Sequence, residues 1–136
     1  MAKFEDIIQG NTLVFVDFFA TWCGPCKMMH PVLEGLKKQL GERVKIVKID
    51  IDSPVNRQLV NSYQVQAVPT LMLFKAGKMV WRQSGAMQAT QIRQVIEKYL
   101  LLSVFYISSV RDHPNRECIK LFEYPVFGMS EISFVG

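Results

Sequence analysis

The sequence predicts an α/β domain with a mixed central sheet and helices on both of its faces. Three observations carry this. Leu13–Ala20 is apolar on both alternating sides apart from Asp17, the pattern of a central strand that is covered on both faces. The elements then run strand, helix, strand, helix, an order that pairs strands in parallel through right-handed crossovers. Two further short apolar runs are joined by Ala76-Gly77-Lys78, a connection short enough to demand an antiparallel hairpin.

Taken in order, a short helix is placed near Lys3–Gln9, ahead of the Leu13–Ala20 strand. A longer helix opens at Cys23-Gly24-Pro25-Cys26 and runs to about Leu40. Its stripe of Val32, Leu33, Leu36 and Leu40 marks the buried face, and Gly41 ends it. Pro31 inside this helix removes a donor and crowds the preceding turn, so a kink is expected there. Val44–Ile51 reads as a β-branched second strand. Ser53-Pro54 offers an N-cap followed by proline at the first helical position, which opens a helix to about Tyr63. The hairpin strands are about Thr70–Lys75 and Met79–Gln83. In the last helix, about Ala89–Leu101, Ile92, Val95, Ile96, Tyr99 and Leu100 recur at helical spacing and form one buried face.

Composition narrows the function classes. Apolar residues make up 49% and charged residues 21% of the 136, enough to fill the core of one domain and unlike a disordered chain. A net charge of +4 without any Lys/Arg cluster gives no nucleic-acid footprint. Three cysteines are too few, and odd in number, for a secreted disulfide framework. Two acidic residues, Glu5 and Asp6, precede any apolar stretch, so no secretory signal is read. The segments Gln58–Phe74 and Tyr99–Val110 are too polar or too short to span a bilayer as helices. A cytoplasmic, reducing compartment and a monomer without membrane or nucleic-acid partners are the expectation.

Trp22-Cys23-Gly24-Pro25-Cys26-Lys27, preceded by Val16-Asp17-Phe18-Phe19-Ala20, closely resembles thioredoxin. Val68-Pro69-Thr70 and Ser84-Gly85-Ala86 match further positions of that family in the expected order. A lone C-x-x-C also occurs in zinc sites; the strand before it, the helix after it and the Pro69 segment make the likeness specific. It covers residues 1–102, taken as one domain with the thioredoxin fold. Two departures stand out. The family's first β-strand has no room before the helix at Lys3–Gln9, so that strand is read as missing. Residues 103–136 have no counterpart.

The resemblance implies a protein dithiol–disulfide oxidoreductase that reduces substrate disulfides through a Cys23/Cys26 exchange. It binds no cofactor beyond its own redox-active disulfide, and an NADPH-dependent thioredoxin reductase recharges it. Cys23 at a helix N-terminus meets unpaired amides and the positive dipole end, which favour a thiolate. In thioredoxin itself the pKa is about 7, against about 8.5 for free cysteine, a change that raises the thiolate about 16-fold at pH 7. Nucleophilicity falls with pKa, so the net gain in attack is about threefold. The larger benefit is that Cys23 leaves readily when Cys26 displaces it.

Cys26, one turn inside, is expected to be buried and to resolve the mixed disulfide after losing its proton. Asp17 is the candidate acceptor, because a carboxyl in an apolar strand has a raised pKa; the alternative is a hydrogen-bonded structural acid. By resemblance Lys48 lies near Asp17 and tunes it, the alternative being an exposed strand lysine. Gly24-Pro25 goes with a reducing member of the family, and Pro25 also suits a first helical turn. Pro69 reads as cis by resemblance, although most such bonds are trans. Trp22, Val68, Pro69, Gly85 and Ala86, with Thr70 behind Pro69, then form the rim where an extended substrate pairs with the Val68 backbone.

His30, four residues after Cys26, makes a C-x-x-C-x-x-x-H string, but zinc needs a fourth ligand or an open position, and none is evident. His30 is read as a surface residue and no metal site is assigned. The alternative function is a thioredoxin-like binding module acting without electron transfer; a disulfide-forming oxidase is disfavoured by Gly24-Pro25. In the extension, Pro114 and Pro125 interrupt any long element and no amphipathic helix is read. It is taken as a tail without function. The alternatives are that Val104–Val110 or Ile132–Val135 pairs with the open edge of the Val44–Ile51 strand, or that the tail binds a partner. Cys118 is read as a bystander thiol.

Overall fold

Helical and strand periodicities settle into eight elements in the computed structural model, which describes residues 3–112. They are α1 (Phe4–Ile8), β1 (Leu13–Phe19), α2 (Gly24–Leu40), β2 (Val44–Asp50), α3 (Arg57–Ser62), β3 (Thr70–Lys75), β4 (Lys78–Ser84) and α4 (Ala89–Asp112). The sheet order is β2-β1-β3-β4, with β1 parallel to β2 and antiparallel to β3, and β4 antiparallel to β3. This is the mixed sheet the sequence predicts. Among the described residues β2 has a partner on one side only.

β1 is buried from Leu13 to Phe18, and its two faces feed two separate cores. Leu13 and Phe15 pack with Met29, Leu33 and Leu36 of α2 and Ile92, Ile96 and Tyr99 of α4. Val14, Val16 and Phe18 pack with Ile8, Ile49, Met72 and Phe74, closed by partly buried side chains of α1 and α3. α2 continues through Pro31 to Leu40, where Gly41 takes φ +58 to end it, as a helix-terminating glycine can.

Several boundaries differ from the expected ones, each for a local reason. The Ser53-Pro54 start opens a 3₁₀ turn over Pro54–Asn56 before α3 begins, and the Ser53 side chain makes no capping bond. The hairpin loop is two residues, Ala76-Gly77, with Lys78 already paired to Lys75. Ala76 at φ 49 and Gly77 at φ 80 supply the two positive φ values of a primed turn, which matches strand twist. A Cβ at Gly77 would meet the Gln9 side chain at 3.1 Å. A bulge falls at Val80, between Leu73↔Trp81 and Phe74↔Met79, and its carbonyl accepts from Tyr99 Oη at 2.9 Å.

The last helix runs to Asp112 rather than stopping at Leu101. No glycine or proline interrupts the chain from Ala89 to Asp112. Residues 104–110 are therefore helical and do not add a strand to β2, which corrects that alternative. Ile132–Val135 and Cys118 lie outside the described residues. No helix among the described residues is long and apolar enough to cross a membrane.

Candidate redox site

Where β1 ends, the chain turns through Ala20–Trp22 and enters α2 at Cys23, the N-cap. The Cys23 amide donates to Ala20 O at 3.2 Å, and Cys23 Sγ accepts from the Cys26 amide at 3.2 Å. A sulfur thus occupies the place a serine or aspartate oxygen fills at an ordinary helix start. Pro25 lies in the first turn, and no acidic residue does, so nothing there opposes negative charge on the sulfur. Cys23 and Cys26 are joined as a disulfide. Cys23 is 5% exposed and Cys26 fully buried.

The rim assembles from three separate stretches. The Val68–Pro69 bond is cis, and Val68 packs on the Cys23, Cys26 and Ala20 cluster. The Val68 carbonyl oxygen lies 3.7 Å from Cys23 Sγ. Thr70 is buried, its hydroxyl donating to Ala67 O, which pins the segment just before the cis bond. Gly85, at φ +95, donates its amide to Pro69 O at 2.8 Å. Ala86 follows it at the surface. Arg82 on β4 holds the end of α3, from which the chain runs to Val68: Nη1 donates to Tyr63 O at 2.6 Å and Nη2 to Gln64 O at 3.1 Å.

The acid on β1 is fully buried. Asp17 is 0% exposed, and neither carboxylate oxygen has a hydrogen-bond partner among the described residues. Desolvation raises its pKa from 3.8 to about 6, and the positive charge of Lys48 offsets part of that rise. Lys48 stands directly opposite Asp17 in the β1–β2 register, hence on the same face of the sheet. Its Nζ lies 3.9 Å from Glu34 Oε1 on α2. Alternation puts Asp17 on the Leu13/Phe15 side, the side covered by α2.

Trp22, Gly24 and Pro25 flank the two cysteines, the Val68–Thr70 stretch is bonded to Gly85 beside Ala86, and Asp17 and Lys48 face each other across β1 and β2. Sequence reasoning missed three neighbours. Asp52 Oδ2 accepts from the Trp22 indole N–H at 2.8 Å, holding a ring that is 69% exposed. Glu34 takes the Lys48 ammonium, and Met29 meets the loop after Gly85. Asp52 follows a strand end and looks like an ordinary turn residue. His30 is half-buried rather than a surface residue: its ring meets Phe19 edge-on at 5.1 Å, because one turn beyond Cys26 still faces β1. No cluster of metal-binding side chains occurs among the described residues.

The thioredoxin family model matches residues 1–98. A thioredoxin-like protein of Synechocystis is 42% identical over 100 residues, covering 73% of this chain and 93% of the relative. Chloroplastic thioredoxin Y of rice is 40% identical over 100 residues, 73% of this chain and 58% of that protein. A mutant thioredoxin of Halobacterium salinarum superposes with TM-score 0.64 at 39% identity, covering 70% of this chain and 80% of that one.

Proposed function

The chain belongs to the thioredoxin family, and we propose that it works in the reducing direction, donating electrons to disulfides of other proteins. It is a dithiol–disulfide oxidoreductase, and the structure holds its oxidised form. One observation supports the direction of events: Cys23, at the mouth of α2, keeps a little exposure and has its sulfur 3.7 Å from Val68 O on the rim, while Cys26 keeps none.

In the reduced protein, the Cys23 thiolate attacks a substrate disulfide and forms a mixed disulfide, expelling one substrate thiolate. Cys26, once deprotonated, attacks Cys23 Sγ, releases the second substrate thiolate and closes the observed bond. A carboxyl with a pKa near 6 is largely ionised at pH 7 yet basic enough to accept a proton, and this supports Asp17 as the acceptor for Cys26. Lys48 tempers that basicity. The Val68 backbone and the Gly85–Ala86 turn offer edges for an extended segment beside the attacked disulfide, with Trp22 and Pro69 as apolar walls.

Two electrons per cycle must be returned, and an NADPH-dependent thioredoxin reductase is the proposed donor. Residues 1–102 are the proposed redox unit, since the family match ends at residue 98 and every site group lies before residue 89. The cytoplasm is the proposed compartment, because a dithiol donor needs reducing surroundings.

The test is insulin reduction with dithiothreitol, then with NADPH and a thioredoxin reductase. Cys23→Ser should abolish turnover and capture nothing. Cys26→Ser should hold substrate as a stable mixed disulfide. A Cys23→Ser, Cys26→Ser double variant that kept the biological function would favour the binding-module reading instead.

A further inference from the structure

We propose that Met29 is a positioning residue that ties the substrate rim to the redox helix through its thioether. This rests on the reductase reading above. Met29 lies one turn beyond Cys26 and is 1% exposed. Its Sδ accepts a hydrogen bond from the Met87 amide at 3.3 Å, an ordinary N–H to sulfur length for a weak acceptor. Met87 directly follows Gly85-Ala86.

The consequence appears when the amides of this loop are followed in order. The Gly85 amide donates to Pro69 O at 2.8 Å. The Gln88 amide donates to Gln91 Oε1 at 3.0 Å, and the Ile92 amide to Gln88 O at 3.1 Å. Between these anchors the Met87 amide is held by sulfur. The Ala86 amide has no partner among the described residues and lies at the surface. A free, exposed amide flanked by two held ones is a docking point of defined direction for a substrate carbonyl. The bond is part-buried and a polar group shielded from water loses free energy without its partner, so an aliphatic residue at position 29 would leave Met87 N–H seeking another acceptor and shift Ala86 with it.

The thioether thus connects substrate grip to the helix that begins with Cys23. The connection bears on extended protein substrates, which reach the rim, and not on a small disulfide that needs only Cys23. Met29→Leu conserves volume and apolar character while removing the acceptor; Met29→Ile removes it with a different shape.

In the full chain, both variants should raise KM for insulin about threefold, the effect of losing one hydrogen bond to a weak acceptor. The kcat and the rate with dithionitrobenzoate should stay at the wild-type values. Hydrogen exchange of the Met87 amide should quicken by at least the same factor. Protein labelled with selenomethionine, which keeps an acceptor of the same shape, should match wild type. Equal losses on both substrates, an unchanged KM, or an effect that differs between Leu and Ile according to size would overturn the proposal. Unchanged exchange at Met87 would overturn the anchor whatever the activity. Failure of the wild-type chain to reduce insulin would instead overturn the reductase reading.

Discussion

The two faces of β1 are built from alternate residues of one strand and behave differently. On the α1/α3 side, Val14, Val16 and Phe18 are all 0% exposed and wholly apolar, with Phe74 and Tyr63 meeting Phe4 edge-on. On the α2/α4 side, Leu13 and Phe15 are as deeply buried, but the third position of the row is Asp17. One face only stabilises. The other gives up stability at the position that lies under the helix bearing the cysteines. A carboxyl buried without partners is costly, and that cost is the same desolvation that makes it a usable base.

The comparison can be broken most forcefully from the apolar face. Phe18→Ala removes a fully buried ring and should cost about 3–5 kcal/mol, a large part of a domain's usual stability. Urea denaturation should show the loss at pH 4.5 and pH 7 alike, because no titrating group is involved. A strongly pH-dependent loss would mean that the two faces are not independent.

Asp17 should show the opposite behaviour. An acid whose folded pKa lies above its unfolded value holds its proton longer in the native state. Stability therefore falls as pH rises from 3.8 to about 6 and levels off above that. A gap of that size corresponds to about 3 kcal/mol lost across the window. Asp17→Asn should abolish this slope, leave the variant more stable than wild type at pH 7, and slow release of substrate from the mixed disulfide. Urea midpoints at pH 4 and pH 7, read with and without the substitution, check the first two; single-turnover kinetics checks the third.

The smallest effect sharpens the picture on the same face. Lys48→Met removes the charge that partly offsets the desolvation of Asp17, so the carboxyl pKa should rise further. The acidic limb of the pH–rate profile should move upward. A downward move would show that Lys48 does not act on Asp17 by its charge.

Much of this was legible from local pattern. Leu13–Ala20 reads as a doubly covered strand because both alternating rows are apolar, and Ala89–Leu101 reads as a helix because Ile92, Ile96 and Tyr99 fall on one stripe. The two thiols are separated by one helical turn in any helix that starts where Pro25 favours it. Boundaries were less legible. α4 outruns its amphipathic stripe because nothing between Leu101 and Asp112 breaks a helix, and the stripe reports burial, not termination. His30 looked like a surface residue because periodicity around Pro31 is ambiguous.

The sequence by itself determined the order of the elements, the apolar faces and the presence of a vicinal dithiol at a helix start, since each depends on residues within a few positions of one another. Only the tertiary structure decided that Lys48 stands opposite Asp17, that Asp52 steadies Trp22 thirty residues away, and that Met29 reaches Met87. Register and long-range contact depend on how separate elements slide and pack against one another. The unpartnered burial that sets the Asp17 pKa exists only once both faces of β1 have been closed.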